Sequence, residues 1–263
     1  LIQRTASLEL SLVQDERLSN VLTVIDEYLI KEKIILPSNE SSDNEILSTN
    51  SVKDILLGET ENPDMNIPLT INNLPNPEDV DKYPFSSYLT SVAEGTGVLL
   101  PYIPKVQEMI NIMSNTEKLR GGRFVWGNKL IDISISETEL IKYKPLYYIS
   151  DRPAVVGGMI QNPSAMIAPP GSQNAGQWVI SLDMNKKGTR KWSTFTGSNI
   201  GKRVAIVLDE KVYMAPYIND KIPTGQTLIS GLDDAQEAQD IANVLSAGEL
   251  PAPVSIIEER TVG

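Results

Sequence analysis

The chain has 263 residues, room for one large domain or two small ones, and its 41% apolar content sits slightly below the usual globular range. It has no cysteine and no histidine, which excludes disulfide and thiolate chemistry and removes both the usual general base near neutral pH and the commonest metal ligand. A net charge of -11 argues against nucleic acid and against broad attachment to anionic lipid, and no run approaches the ~20 apolar residues that span a bilayer.

In chain order, Arg4–Leu12 alternates Leu8, Leu10 and Leu12 with polar neighbours, the period of a half-buried strand. Leu18, Val21, Leu22, Ile25 and Leu29 recur at helical spacing and predict an amphipathic helix ending near Lys31-Glu32-Lys33. Pro37–Lys82 changes character: Asn, Ser, Pro, Asp and Glu dominate, and Pro63, Pro68, Pro75 and Pro77 stand too close together for regular structure. The reading is an acidic surface insertion over about 37–82, with Ser51–Leu57 as its one helical candidate.

Order returns at Phe85–Met113. Tyr88, Leu89 and Val92 lead into a Gly95-Thr96-Gly97 turn, and Val106–Met113 follows Pro104 as a short helix. Gly121-Gly122 predicts a turn entering a strand through Gly127, and Tyr143–Ile149 is a Tyr-rich strand. Trp178–Asp183 and Val204–Asp209 read as strands, with Gly188–Gly201 a helix between them. Asp209-Glu210-Lys211 turns the second strand back into Val212–Pro216 as a hairpin, and Thr227–Gly231 closes the set.

Asp234 followed three residues on by Glu237 is a capping box, and Ala235, Ala238, Ile241, Ala242 and Leu245 make the apolar stripe of the helix behind it. The stripe is built of small residues, so this helix can lie close against a sheet. Gly248 suits a left-handed cap, Pro251 and Pro253 forbid continuation, and Val254–Glu258 is a short β-branched run.

Leu245-Ser246-Ala247-Gly248-Glu249-Leu250-Pro251-Ala252-Pro253-Val254, with Glu258-Glu259-Arg260-Thr261-Val262-Gly263, resembles the end of the first extracytoplasmic domain of the SecD family. Members are accessory membrane subunits of the bacterial protein translocase, often fused to SecF. Val155–Ile160 and Asn199–Asp209 followed by Val212–Pro216 resemble the same domain. Arg4–Leu12 resembles a strand at its base, with Leu10 where the family usually has Phe. Resemblance covers 155–263 strongly and is essentially absent from 19 to 83.

The resemblance implies an α+β fold. A ferredoxin-like base, discontinuous over 1–12 and 231–263 and completed by residues upstream of Leu1, would carry an inserted mixed α+β head over 13–230. It further implies an extracytoplasmic domain at the outer face of the bacterial inner membrane, tethered by transmembrane helices and working with SecF and the SecYEG channel. The head would swing on the base, driven by proton flux through the membrane part, and hold unfolded preprotein as it emerges. Leu12, Val13, Ser230 and Gly231 are the hinge candidates, Gly231 because glycine absorbs backbone change at little cost. A chain that opens at Leu1 without Met and closes at Gly263 is expected of a soluble piece cut just before the membrane.

Four constellations deserve weighing. Gly197-Ser198-Asn199-Ile200-Gly201-Lys202-Arg203 superficially looks like a phosphate loop, but the spacing is one residue short, Arg203 stands where Ser or Thr is needed, and the element runs helix to strand. Lys186, Lys187, Arg190, Lys191, Lys202 and Arg203 could dock an acidic partner or lipid headgroups, against the simpler reading of a solvated helix face. Asp183, Asp209, Asp220, Asp233 and Asp234 fit no ligand loop and suit turns and caps. Tyr143, Tyr147, Tyr148, Trp178 and Trp192, with Met159, Met166 and Met214, could line a groove for extended polypeptide; at strand period they could equally be core.

The expected contact residues are Tyr147, Met159, Trp178, Trp192 and Met214. With no histidine and no Ser-x-x-Lys, no catalytic residue, cofactor or metal is expected. Two other classes stay open: an extracytoplasmic ligand-binding module for peptide or glycan, and a hydrolase with an unusual carboxylate or Lys base.

Overall fold

The structure is a computed structural model and describes residues 8–32, 77–92, 95–134, 140–172, 174–230, 232 and 234–248. Its first elements are β1 (Leu8–Leu12), α1 (Asp15–Lys31), α2 (Pro77–Lys82), β2 (Leu89–Val92), β3 (Gly95–Leu99) and α3 (Ile103–Ser114). β4 (Gly122–Gly127), β5 (Ile131–Ser134), β6 (Leu140–Ser150), β7 (Val155–Val156), β8 (Ile160–Ile167) and β9 (Trp178–Met184) follow. The last are α4 (Lys186–Ser198), β10 (Val204–Leu208), β11 (Lys211–Met214), β12 (Thr227–Ile229) and α5 (Ala235–Gly248). The class is α+β, as expected. The chain divides into two compact units, residues 14–149 and residues 1–13 with 150–263.

In the unit of 14–149, β6 pairs antiparallel with β3 on one side and with β5 on the other, Tyr143 standing opposite both Leu99 and Ile131. α1 buries Val21, Ile25 and Leu29, so the stripe read from the sequence faces the core, and the short helix expected after Pro104 is α3, which buries Val106, Met109, Ile110 and Met113. Aromatic side chains fill much of the rest: the Phe124 ring lies 5.4 Å from Phe85 and 5.1 Å from Tyr148, in tilted pairs.

Two local expectations are corrected here. Gly95-Thr96-Gly97 is no turn but the first part of β3, paired in register with Val92, Ser91 and Thr90. Gly97 is needed for space: a Cβ there would stand 2.5 Å from Tyr143 Cδ2. Pro77–Lys82, assigned to loop, is the helix α2, whose opening proline has φ preset for a helical start and whose Val80 packs against the core. Ser51–Leu57 lies outside the described residues.

In the other unit β1 is central, pairing antiparallel with β10 (Leu10 opposite Ile206) and with β7 (Leu10 opposite Val155). β10 turns into β11 through Asp209 and Glu210, both at positive φ (46° and 62°), the two-residue turn whose twist matches a hairpin. β8, β9 and β12 form a second antiparallel sheet with β9 in the middle. Leu8, Leu10, Ile180, Leu182, Trp192, Ile206, Ile241 and Leu245 share one core.

α5, assigned with the base, buries Ala238, Ile241, Ala242 and Leu245 in that same core with residues of β8 and β9. Its small-residue face does allow a close approach, as read; the sheet it approaches is the one containing β8 and β9. Val254–Glu258, the proposed partner of β1 in a ferredoxin-like base, lies outside the described residues.

Candidate functional site

The unit containing β8–β12 encloses a cavity of about 350 Å³. Val179 and Leu182 of β9, Trp192 and Thr196 of α4, and Leu10, Val204 and Ile206 of β1 and β10 give it apolar walls, and the segment 216–230 supplies its mouth. Polar groups there are Ser172, Asn174, Asn219, Asp220 and Gln226. Among the described residues of the lining Asp220 is the single carboxylate, and no Lys or Arg contributes.

The walls are tied by hydrogen bonds made behind them. Asn185 caps α4, its Oδ1 accepting from the Lys187 and Gly188 amides at 3.1 and 2.9 Å. Gly188 permits close packing, since a Cβ there would sit 3.0 Å from Met159 O. Trp192 Nε1 donates to Thr227 Oγ1 at 2.9 Å, joining α4 to β12. Thr196 Oγ1 donates to Trp192 O at 2.8 Å and accepts from the Ile222 amide at 3.0 Å, joining α4 to the mouth segment. That segment is also laced to the chain after α4: the Gly201 amide donates to Ile218 O at 2.8 Å and the Ile218 amide to Lys202 O at 2.9 Å. Such a cavity is built before any ligand arrives. Its mouth carries Tyr217, 66% exposed, and Leu228, 51% exposed.

Of the expected contact residues only Trp192 reaches this cavity. Met159 is buried in the core of the same unit, and Tyr147 is buried in β6 of the other unit. Trp178 and Met214 are half-buried, on β9 and β11, and do not line the cavity. The five therefore do not line this cavity together. Large side chains at strand period point into the core, where their burial is most favourable.

The hinge candidates separate too. Leu12 is paired with Val204, and the Val13 amide donates to Arg203 O at 3.0 Å, so both are held in the sheet. Ser230 lines the cavity; Gly231 lies outside the described residues. Gly197–Arg203 runs from the end of α4 into β10, with Gly201 at φ 80°, and serves as connection between them. Lys186, Lys187, Arg190 and Lys191 are exposed on α4, whereas Arg203 is buried. Asp209 sits in the hairpin turn, and Asp234 Oδ1 accepts from the Glu237 amide at 2.9 Å at the start of α5. Asp233 lies outside the described residues.

The other unit has a wider groove, about 870 Å³, beside α1. Asp15, Asp26, Glu27, Asp79 and Lys82 line it. Asp26 is buried, and its Oδ1 accepts from the Phe85 and Ser86 amides at 2.7 and 3.1 Å while Oδ2 accepts from Ser86 Oγ. Burial pushes the Asp26 carboxyl above its ordinary value and these hydrogen bonds pull it partly back. The carboxylate is a fastener between α1 and the segment that leads into β2.

Sequence reading missed Tyr217, Asn219, Gln226 and Asp26, and gave Asp220 only to a turn or cap. Tyr217, Asn219, Asp220 and Gln226 follow a predicted hairpin in a stretch rich in Pro, Asn, Asp and Gly, a sign of a loop without a sign of what it lines.

Residues 135–252 match the family model described as "SecDF, P1 head subdomain". The chain is similar to the protein translocase subunit SecD of Rhodothermus marinus, 57% identical over 84 residues that cover 32% of this chain and 14% of that protein. It is similar to the protein translocase subunit SecDF of Thermus thermophilus, 46% identical over 88 residues, 34% of this chain and 12% of that protein. A solved structure described as a membrane component SecDF that enhances protein export aligns over 97% of this chain and 100% of its own, with 21% identity and a TM-score of 0.34. The chain thus spans a minor part of the length of its curated relatives.

Proposed function

We infer that this chain, a member of the SecD family of protein-translocase subunits carrying the P1 head subdomain at residues 135–252, holds unfolded polypeptide non-covalently at the cavity bordered by Tyr217 and Leu228. One observation carries the reading: a preformed, apolar-walled cavity with one carboxylate among its described lining residues and an exposed aromatic and aliphatic residue at its mouth. Chains of differing sequence share a backbone and scattered apolar side chains. A surface nearly free of fixed charge and rich in amide and hydroxyl groups suits all of them, because it imposes no charge requirement of its own.

No bond-making chemistry is proposed. The Thr196 and Thr227 hydroxyls are occupied structurally, Ser172 Oγ donates to Pro169 O, and among the described residues of the lining no Lys stands beside Ser172 or Ser230. In the whole subunit the domain would face the extracytoplasmic side of the inner membrane, beside SecF and the SecYEG channel. Proton-driven movement of head against base would alternate grip and release.

The test is a photocrosslinking probe at position 217 or 228 of the intact membrane protein during export of a preprotein. Adducts with the translocating chain are expected at both. Export without adducts at either would overturn the reading.

A second reading is favoured by the convergence of Ser172, Asn174, Asn219 and Gln226, whose amides and hydroxyls also suit a glycan. Calorimetry separates the two: saturable binding of one sugar class, with no binding of unfolded chains, selects the glycan.

A further inference from the structure

From Pro153 to Leu182 the chain contains no Asp, Glu, Lys or Arg, although 22% of its residues are charged. β8 lies inside that stretch and is an edge strand: it pairs with β9, and among the described residues no strand pairs with its other side. Natural proteins guard such edges with charges, prolines or bulges, because unpaired backbone groups recruit another extended chain.

α5 packs against β8, and along the strand itself the guard covers one half only. The ladder shifts between Gln161 and Ser164, Asn162 adopts φ 52°, and Pro163 has no N–H to offer. Beyond that irregularity Ser164, Ala165, Met166 and Ile167 run in regular register opposite Ser181, Ile180, Val179 and Trp178. Ser164 is exposed, Met166 is 37% exposed and Ile167 54% exposed. Every second residue of a regular edge strand turns both its N–H and its C=O outward. The next residue, Ala168, lines the cavity, so the open half of the edge leads straight to the candidate site. The opposite edge, β12, has three residues and offers a shorter ladder.

We propose that the outer edge of Ser164–Ile167 captures an extended, uncharged segment of polypeptide as an added β-strand and delivers it to the cavity at Ala168. The occupant follows from the edge itself. Outward N–H and C=O groups at strand spacing are complementary to another extended backbone, whatever its side chains, and Met166 and Ile167 favour apolar neighbours. This rests on the polypeptide-holding reading above and supplies its mode of recognition, with main-chain hydrogen bonds giving affinity that does not depend on sequence.

The experiment uses the 263-residue chain and a fluorescent, uncharged Thr/Val-rich peptide, with a second peptide N-methylated at alternate amides, followed by anisotropy. Strand addition predicts that N-methylation weakens binding about tenfold or more, as the loss of one or two net backbone hydrogen bonds requires. It also predicts that Ser164→Lys with Met166→Lys weakens the unmodified peptide comparably, without changing thermal stability. Slowed amide exchange at alternate positions within 164–167 on binding would locate the added strand. Equal binding of both peptides, or full binding to the Lys variant, overturns the edge proposal and leaves the cavity reading intact. No binding of either peptide overturns both.

Discussion

The two units use buried polar groups for different ends. In residues 14–149 the groove beside α1 is the larger concavity, yet Asp26 at its wall is committed to the Phe85 and Ser86 amides, and Asp15, Glu27, Asp79 and Lys82 surround it. In the unit of β8–β12 the structural hydrogen bonds are made in the walls, by Trp192, Thr227 and Thr196, and Tyr217 and Leu228 at the mouth are exposed. Volume therefore misleads. What marks a site is polar capacity left over once the fold has been tied, on a surface whose charge would not reject its ligand.

Removing a tie on the cavity side should give the largest effect. Trp192→Ala deletes a side chain 3% exposed, leaves a void between α4 and β12 and strands the Thr227 hydroxyl, so a loss of about 3–5 kcal/mol is expected. Urea unfolding followed by hydrogen exchange in β9 and β12 would register it. Trp192→Phe should recover most of that loss, because it restores volume and forfeits only the indole donor. Equal losses for the two variants would mean that the hydrogen bond, not the packing, holds the cavity wall.

The corresponding tie of the other unit is smaller. Asp26→Ala leaves the buried Phe85 amide without its acceptor and should cost about 1–3 kcal/mol in urea unfolding. Asp26→Asn keeps an oxygen for both amides and removes the charge. Because burial raises the Asp26 carboxyl above 3.8, the native fold favours its protonated form. That contribution is complete below 3.8 and is lost as pH rises through the native value. Wild type should therefore gain stability relative to Asp26→Asn on acidification through this window. A difference between the two that stays flat with pH would show that the fold does not raise the Asp26 carboxyl on balance.

Elements with a strong period were legible from residues alone. α1 and the stripe of α5 emerged because a period of 3.6 leaves one face apolar, α3 because it follows Pro104, and the β10–β11 hairpin because Asp209-Glu210 interrupts two β-branched runs. Gly95-Thr96-Gly97 misled because glycine marks close approach as well as turns; here it admits the Tyr143 ring. The α5 stripe announced tight packing and not which sheet it meets, since small residues report how close a neighbour comes and not its identity. The cavity was illegible for a similar reason. Its lining comes from β1, β9, α4, β10, β12 and two connecting segments, and no local pattern distinguishes a Trp facing a core from one facing a void.

The smallest expected change in stability is also the most discriminating. Tyr217 and Leu228 on one unit, and Ile30 and Tyr83 on the other, are all large, apolar and between 44% and 66% exposed, and each lines its unit's concavity. Replacing any of them by Ser should move stability by no more than about 0.5 kcal/mol, since little is lost from the core. Binding of an uncharged unfolded peptide should divide the pairs. Tyr217→Ser with Leu228→Ser should lower affinity about tenfold, the worth of one well-placed aromatic and one aliphatic contact, while Ile30→Ser with Tyr83→Ser should leave it unchanged. Were the second pair to weaken binding as much as the first, exposed apolar area alone would account for the affinity. The distinction drawn between a neutral cavity and a charged groove would then have no bearing on what the protein holds.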